Sequence, residues 1–480
     1  MRRLLVLLPV LALLLTGCAL SQEPEQDEEE IPWLVEDPAE EEPPAPVVTL
    51  PERFALPYHR DQTLDPVTCG ADVQFNVAAL LYETLVVLDE TFEPQPNICT
   101  GWVHNEDFTV WTLGLREGVL FSDGTLLTAE DAALALRRAA GSARYGYRLR
   151  QLANAQAADG SVVVTLTASN SGFPALLDIP VVKAGTENWT VPTGTGPYRW
   201  SGGEEGDSLV PNENWWQGGG QPLDRIELVH AKDRETALAL FASRQVQLCS
   251  LDLTGQKSIS LTGSILCTDA PGTTLQYVGI NCLTPILEDP LVRRTLREGL
   301  QRDQVAQGLL SGHAQAAQFP ISPQSDLYPA QLEHTYRYDT FMEDMSAAGL
   351  DTGEPLTLTM LVNEENPFKV WAAQYVAKSL SVCDLTVEVS VLPWEAFTAA
   401  LAAGDFDLYY GEVKLTADWD VTSLLHTNGE LNYGGYSSWY MDDLLADLSV
   451  SKDRAATAQG ICRWIGEQAP ILPVCFKSYS

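Results

Sequence analysis

The stretch Phe121-Ser122-Asp123-Gly124-Thr125-Leu126-Leu127-Thr128-Ala129-Glu130-Asp131-Ala132-Ala133-Leu134-Ala135-Leu136-Arg137-Arg138-Ala139 reads as a tight turn followed by a capped helix. Asp123-Gly124 supplies the turn, and the alternation from Val110 to Leu115 just before it predicts a strand. Thr128 is placed to cap the helix, with Asp131 three residues on in its first turn. The helix is expected to run through Arg138 with Ala132, Leu134, Leu136 and Ala139 partly buried. Further out, apolar periodicity predicts helices at Arg234–Ser243, Asp289–Leu310, Phe368–Leu380, Trp394–Ala403 and Met441–Leu448. Strands are predicted at Val162–Thr167, Arg225–His230, Leu356–Val362 and Leu385–Leu392. Helices and strands interleave without an internal repeat, which is the pattern of an α/β protein with mixed sheets.

The N-terminus addresses the compartment. Arg2 and Arg3 precede an apolar run from Leu4 to Leu15, which is too short for a hydrocarbon core that needs about 20 helical residues and suits a secretory leader. Residues 1–17 are therefore expected to be removed, with Leu15-Thr16-Gly17-Cys18 resembling a bacterial lipobox that implies lipid on the Cys18 thiol. The alternative is an ordinary leader with an incidental cysteine. Between Ser21 and Val48 there are eleven acidic residues, repeated prolines and no Lys or Arg, so residues 18–48 are expected to be an extended, disordered tether. From residue 49 onward roughly 430 residues remain, more than one core usually holds, and two lobes are expected. The net charge of −36 argues against a nucleic-acid partner and against docking on anionic lipid.

Signals for catalysis and metal are absent from the local sequence. His59, His104, His230, His313, His334 and His426 stand singly, with no HxxxH or HxH pair and no G-x-S-x-G elbow. Gly194-Thr195-Gly196-Pro197-Tyr198 lacks the ending of a phosphate loop and reads as a turn. No catalytic residue, cofactor or metal is expected. Cys69, Cys99, Cys249, Cys267, Cys282, Cys383, Cys462 and Cys475 form no compact framework. Zero to two disulfides, such as Cys249 with Cys267 or Cys462 with Cys475, and buried free thiols both remain open.

Short motifs in a fixed order give a resemblance. Leu64-Asp65-Pro66, Leu81-Tyr82-Glu83-Thr84-Leu85, Trp111 to Gly118 and the stretch from Phe121 come first, followed by GTGPYRW from Gly194, PNENWW from Pro211 and LDRIELVHAKDRETALALFASRQVQL from Leu223. DPLVRRTLREGLQRDQVAQGLLSG from Asp289, GDFDLYYG from Gly404, LNYGGYS from Leu431, MDDLLADL from Met441 and APILP from Ala469 complete the series. In that order they resemble the family 5 bacterial extracellular solute-binding proteins. The resemblance implies a two-lobed, periplasmic-binding-protein-like fold of type II, peptide-receptor class, with a ligand cleft between lobes that close by hinge motion. It places the first lobe at 49–270, the second at 271–465, and residues 466–480 back in the first. Family members usually continue beyond APILP, so a trimmed first lobe is expected.

The same resemblance implies the function: capture of di- or oligopeptides for the permease subunits of an ABC importer by a monomer held at the outer face of the cytoplasmic membrane, or in the periplasm, through Cys18. The alternatives are a receptor of this fold for a nickel chelate or an oligosaccharide, and a surface sensor or adhesion lipoprotein. The stretch after Leu64-Asp65-Pro66, Thr68-Cys69-Gly70-Ala71-Asp72, matches the segment that pairs with the ligand backbone as an added strand. Asp418, between a DFDLYYG-like strand and a Thr422-Ser423-Leu424-Leu425 helix start, resembles the carboxylate that holds the peptide ammonium. Asp420 is the alternative, or else the cap of that helix, and Tyr410 and Trp419 could line the cleft. Glu412-Val413 after Gly411, where an aromatic is common, departs from the pattern of the peptide receptors.

Overall fold

The computed structural model describes residues 53–70, 73–203, 206–255 and 265–480. The expected leader, Cys18 and acidic tether lie outside these residues, as do Ala71 and Asp72.

Beside a two-stranded ribbon of Val86–Leu88 with Pro94–Pro96, the first lobe holds two four-stranded sheets, each with its own core. In one, Ala55–Tyr58 lies parallel to Ile226–His230, and Ser208–Pro211 and Tyr198–Ser201 continue the sheet antiparallel. The helix Val73–Leu81 covers it, burying Val77, Ala78 and Leu81 against Leu56, Tyr198 and Leu209. Gly194 and Gly196 let the following loop cross the end of that helix, where a Cβ on either would stand 2.1 and 2.5 Å from the carbonyls of Leu81 and Leu80. The other sheet runs Cys99–His104, Val110–Leu115, Ser161–Leu166, Leu152–Ala158, all antiparallel. The helix of the opening stretch, Ala129–Ala140, packs Ala132, Ala135, Leu136 and Ala139 on Val162 and Val164. Its cap is reciprocal: Asp131 N–H donates to Thr128 Oγ1 at 3.4 Å and Thr128 N–H to Asp131 Oδ2 at 2.8 Å.

The second lobe is built on one six-stranded sheet, in the order Ala314–Ala316, Ile471–Tyr479, Ala270–Ile280, Leu408–Lys414, Leu356–Asn363, Leu385–Leu392. The last three are mutually parallel, the rest antiparallel. Helices cover both faces, so alternate residues enter different cores: Tyr409 joins Tyr277, Phe397 and Leu401, while Tyr410 joins Val278, Met360 and Ala373.

Two expectations change. The helix predicted over Asp289–Leu310 ends at Glu298 and resumes as a separate turn at Gln304–Leu309. Gly299 marks the break, packed so close to Phe341 and Leu380 that a Cβ would lie 2.6 Å from the ring. Residues 466–480 finish a helix at Gln468 and then form a strand inside the second-lobe sheet, bonded on both edges. Only the end reaches the first lobe: Leu251 and Ser480 exchange backbone hydrogen bonds at 2.6 and 2.9 Å, and Lys477 Nζ donates to Asp252. All eight cysteines of the described body are free. No helix of the described residues is long and apolar enough to cross a membrane.

Candidate functional site

A cavity of about 1140 Å³ lies between the lobes. Cys69, Gly70 and Arg144 reach it from the first lobe, and Glu412, Lys414 and Lys477 from the second. The Cys69 position is fixed by the Leu64-Asp65-Pro66 turn. Cys69 N–H donates to the Asp65 carbonyl at 2.9 Å, while the Asp65 carboxylate accepts from Val67 N–H, Thr68 Oγ1 and the Arg138 guanidinium. Beyond this turn Gly70 faces open space, a Cβ there meeting only Gln62 Oε1 at 3.9 Å. Burial pushes the Cys69 thiol up to about 11, opposed by nearby Arg144, so the sulfur stays protonated at neutral pH.

The cavity collects cations in a strongly acidic chain. Lys477 is neutralised by Asp252 at 2.8 Å and Glu412 at 3.6 Å. Arg144 stands 3.4 Å from the Phe75 ring centroid and, like Lys414, has no carboxylate within ion-pair distance among the described residues. Lys414 is held below the usual ammonium range, first by burial and then by repulsion from Arg148 and Arg144, with Asp178 opposing. Arg144 and Lys414 therefore present like charges to each other from opposite lobes.

Asp418 and Asp420 lie elsewhere on the lobe interface. Asp418 is 4% exposed, and its carboxylate accepts from Thr416 Oγ1 at 2.5 Å and from first-lobe Asn170 Nδ2 at 2.9 Å. It borders a separate cavity of about 1070 Å³ beside Arg454, whose guanidinium donates to the Asp418 carbonyl. Asp420 is not the cap of the short helix Thr422–Leu425, whose N-cap is Val421, but accepts from Thr422 N–H at 2.9 Å and pairs with Arg150 of the first lobe at 2.7 Å. Trp419, at 2% exposure, is wedged between Phe92 of the first lobe and Phe476. Tyr410 is wholly buried and donates to Gln276 Oε1 at 3.0 Å. Thus Cys69 and Gly70 share one cavity, whereas Tyr410, Asp418, Trp419 and Asp420 do not line it. Arg144 and Lys414 were not singled out from sequence, and Glu412 was noted there only as a departure from the family pattern. The signal was available for Glu412 and Lys414, since alternation along Leu408–Lys414 puts Tyr410, Glu412 and Lys414 on one face.

Comparison with known proteins agrees with this architecture. A family model described as bacterial extracellular solute-binding proteins, family 5 Middle, matches residues 93–434. The chain is 26% identical over 454 residues to the glutathione-binding protein GsiB of Escherichia coli (strain K12), with 86% of each chain covered. Among solved structures it is similar to a nickel ABC transporter protein from Bacillus halodurans, with a TM-score of 0.75 at 20% identity, covering 89% of this chain and 94% of that one. It is also similar to the unliganded open form of the periplasmic murein tripeptide binding protein MppA, with a TM-score of 0.73 at 19% identity, covering 90% and 93%. The last two likenesses carry the two-lobed fold.

Proposed function

The chain belongs to the family 5 bacterial extracellular solute-binding proteins, and we propose that it captures a short peptide between its lobes and delivers it to the permease subunits of an ABC importer. The observation that carries this reading is the pair Arg144 and Lys414, cations without carboxylate partners among the described residues that line one cavity from opposite lobes. A peptide carboxylate placed between them replaces repulsion with two attractive contacts and so favours closure. Cys69 and Gly70 offer backbone beside it, as an added-strand mode of peptide binding needs. Relatives named for glutathione and for a murein tripeptide support a peptidic solute.

Asp418 remains the residue that the family resemblance assigns to the ligand ammonium. Because its Oδ2 is bonded to Asn170, an incoming ammonium has to exchange with that amide. Glu412 and Asp252, which share Lys477, stand in the main cavity with Asp233 as carboxylates available to an amine. The reading makes the protein a monomer with no reaction of its own, anchored outside the membrane by lipid on Cys18.

Calorimetric titration of the full chain with di-, tri- and longer peptides, each beside its C-terminally amidated form, tests the proposal. Free acids should bind and amidation should weaken them about tenfold or more, roughly 1.4 kcal/mol. Equal affinity for acid and amide removes the carboxylate contact, and response to sugars or nickel chelates alone overturns the peptide reading.

A further inference from the structure

We propose that Cys267, Asp269 and His313 form a binding site for one borderline divalent transition-metal ion of the zinc class, apart from the ligand cavity. A thiol sulfur, a carboxylate oxygen and an imidazole nitrogen lie here within 4.8 Å of one another. Mixed sulfur, nitrogen and oxygen donors suit zinc, cobalt and nickel, whereas a site for magnesium or calcium is built from oxygen alone.

The sheet brings the three together. Cys267 and Asp269 lead into Ala270–Ile280 and His313 leads into Ala314–Ala316, and these two strands flank the same neighbour, Ile471–Tyr479. Ala270 stands opposite Tyr479 and Ala314 opposite Lys477, so the residues preceding both strands emerge at one end of the sheet. Two of the donors, His313 and Asp269, are held there before any ion arrives. The His313 carbonyl accepts from Ser478 N–H at 3.0 Å, its Nδ1 lies 3.0 Å from Asp269 Oδ2, and Ser480 Oγ donates to Asp269 Oδ1. Cys267 and Asp269 are exposed and His313 half-buried, which leaves an entry path.

The ion takes the place of the proton between His313 and Asp269, which passes to solvent, and the imidazole binds in its neutral form with its remaining proton on the other ring nitrogen. The Cys267 thiol releases its proton to solvent and binds as thiolate, with no change of oxidation state. Three protein donors leave a fourth tetrahedral position to water. The site adjoins the Leu251–Ser480 backbone pair that links the two lobes, so an ion here ties Cys267 and Asp269 to the neighbouring strands of the second-lobe sheet.

Cobalt(II) titration of the full chain, reduced and in the absence of oxygen, reads the site directly. The expected result is one equivalent bound with a thiolate-to-cobalt charge-transfer band and strong tetrahedral visible bands, displaced by zinc. Cys267→Ser should abolish the charge-transfer band, while Asp269→Asn and His313→Ala should weaken binding roughly tenfold or more. Cys383→Ser, at an exposed thiol elsewhere, should leave the spectrum unchanged. Circular dichroism of the metal-free variants separates lost ligation from lost folding, which exposed positions are not expected to disturb. An unmodified chain without a charge-transfer band, or a band that survives Cys267→Ser, overturns the site.

Discussion

Asn170 of the first lobe donates to Asp418 of the second at 2.9 Å, across 248 residues of sequence and in a buried setting. Around this bond Ser171 N–H donates to the Ser449 carbonyl at 2.7 Å, and Arg454 Nη1 to Ser171 Oγ at 2.9 Å. Asp418 is therefore part of the interface between the lobes in the absence of ligand. Burial lowers the Arg454 pKa, and the nearby Asp418 charge is the first of the groups that oppose the shift. Asp418→Ala should destabilise the protein by about 1–3 kcal/mol in urea unfolding, and enlarge it in small-angle scattering as the lobes part. An unchanged denaturation midpoint and radius would remove Asp418 from the interface and leave it to the ligand alone.

On the proposed contact between Lys414 and a peptide carboxylate, peptide affinity should depend on pH. A bound carboxylate favours the charged amine, so affinity should fall as pH rises through the depressed Lys414 pKa, earlier than an ordinary lysine would require. Lys414→Arg keeps its charge at every accessible pH and should remove the fall. Titrations of both proteins with one peptide at neutral and mildly alkaline pH decide the matter, since parallel profiles would exclude Lys414 from the contact.

Much of the local architecture was legible because it rests on short-range chemistry. The Thr128–Asp131 cap, the strand Val110–Leu115 and the helix Trp394–Ala403 follow from neighbours in sequence. The site was less legible because its members come from distant segments: nothing near Arg144 announces that Lys414 faces the same cavity. Trp419 and Tyr410 look like cleft aromatics in one dimension, but Phe92 from the other lobe and Gln276 from the next strand enclose them. The break at Gly299 was hidden for the same reason, since only the packing of Phe341 and Leu380 against it shows why the helix stops.

Lys369 gives a second test by pH, on stability. It is 5% exposed, its amine bonded to Asn363 Oδ1, and burial lowers its pKa to about 8 from 10.5. Below pH 8 both folded and unfolded states carry the proton, and the folded state bears the full cost. Between about 8 and 10.5 the unfolded state holds more protons, so stability rises with pH. From pH 7 to 9.5 the unfolding free energy should climb about 2 kcal/mol more in this protein than in Lys369→Met. Identical pH profiles would show that the amine is solvated.

Glu83 links the Leu-Tyr-Glu-Thr-Leu motif to PNENWW. Its carboxylate accepts from Trp215 Nε1 at 3.1 Å, Trp216 Nε1 at 2.8 Å and Gln217 Nε2 at 3.2 Å, at 8% exposure. Glu83→Ala leaves three donors without their acceptor and should cost about 2–4 kcal/mol, read by denaturant titration with Trp emission as the probe. Peptide affinity measured well below the new melting point should stay unchanged, because Glu83 does not line the ligand cavity. A variant with normal stability but weakened binding would move this motif from the scaffold to the site.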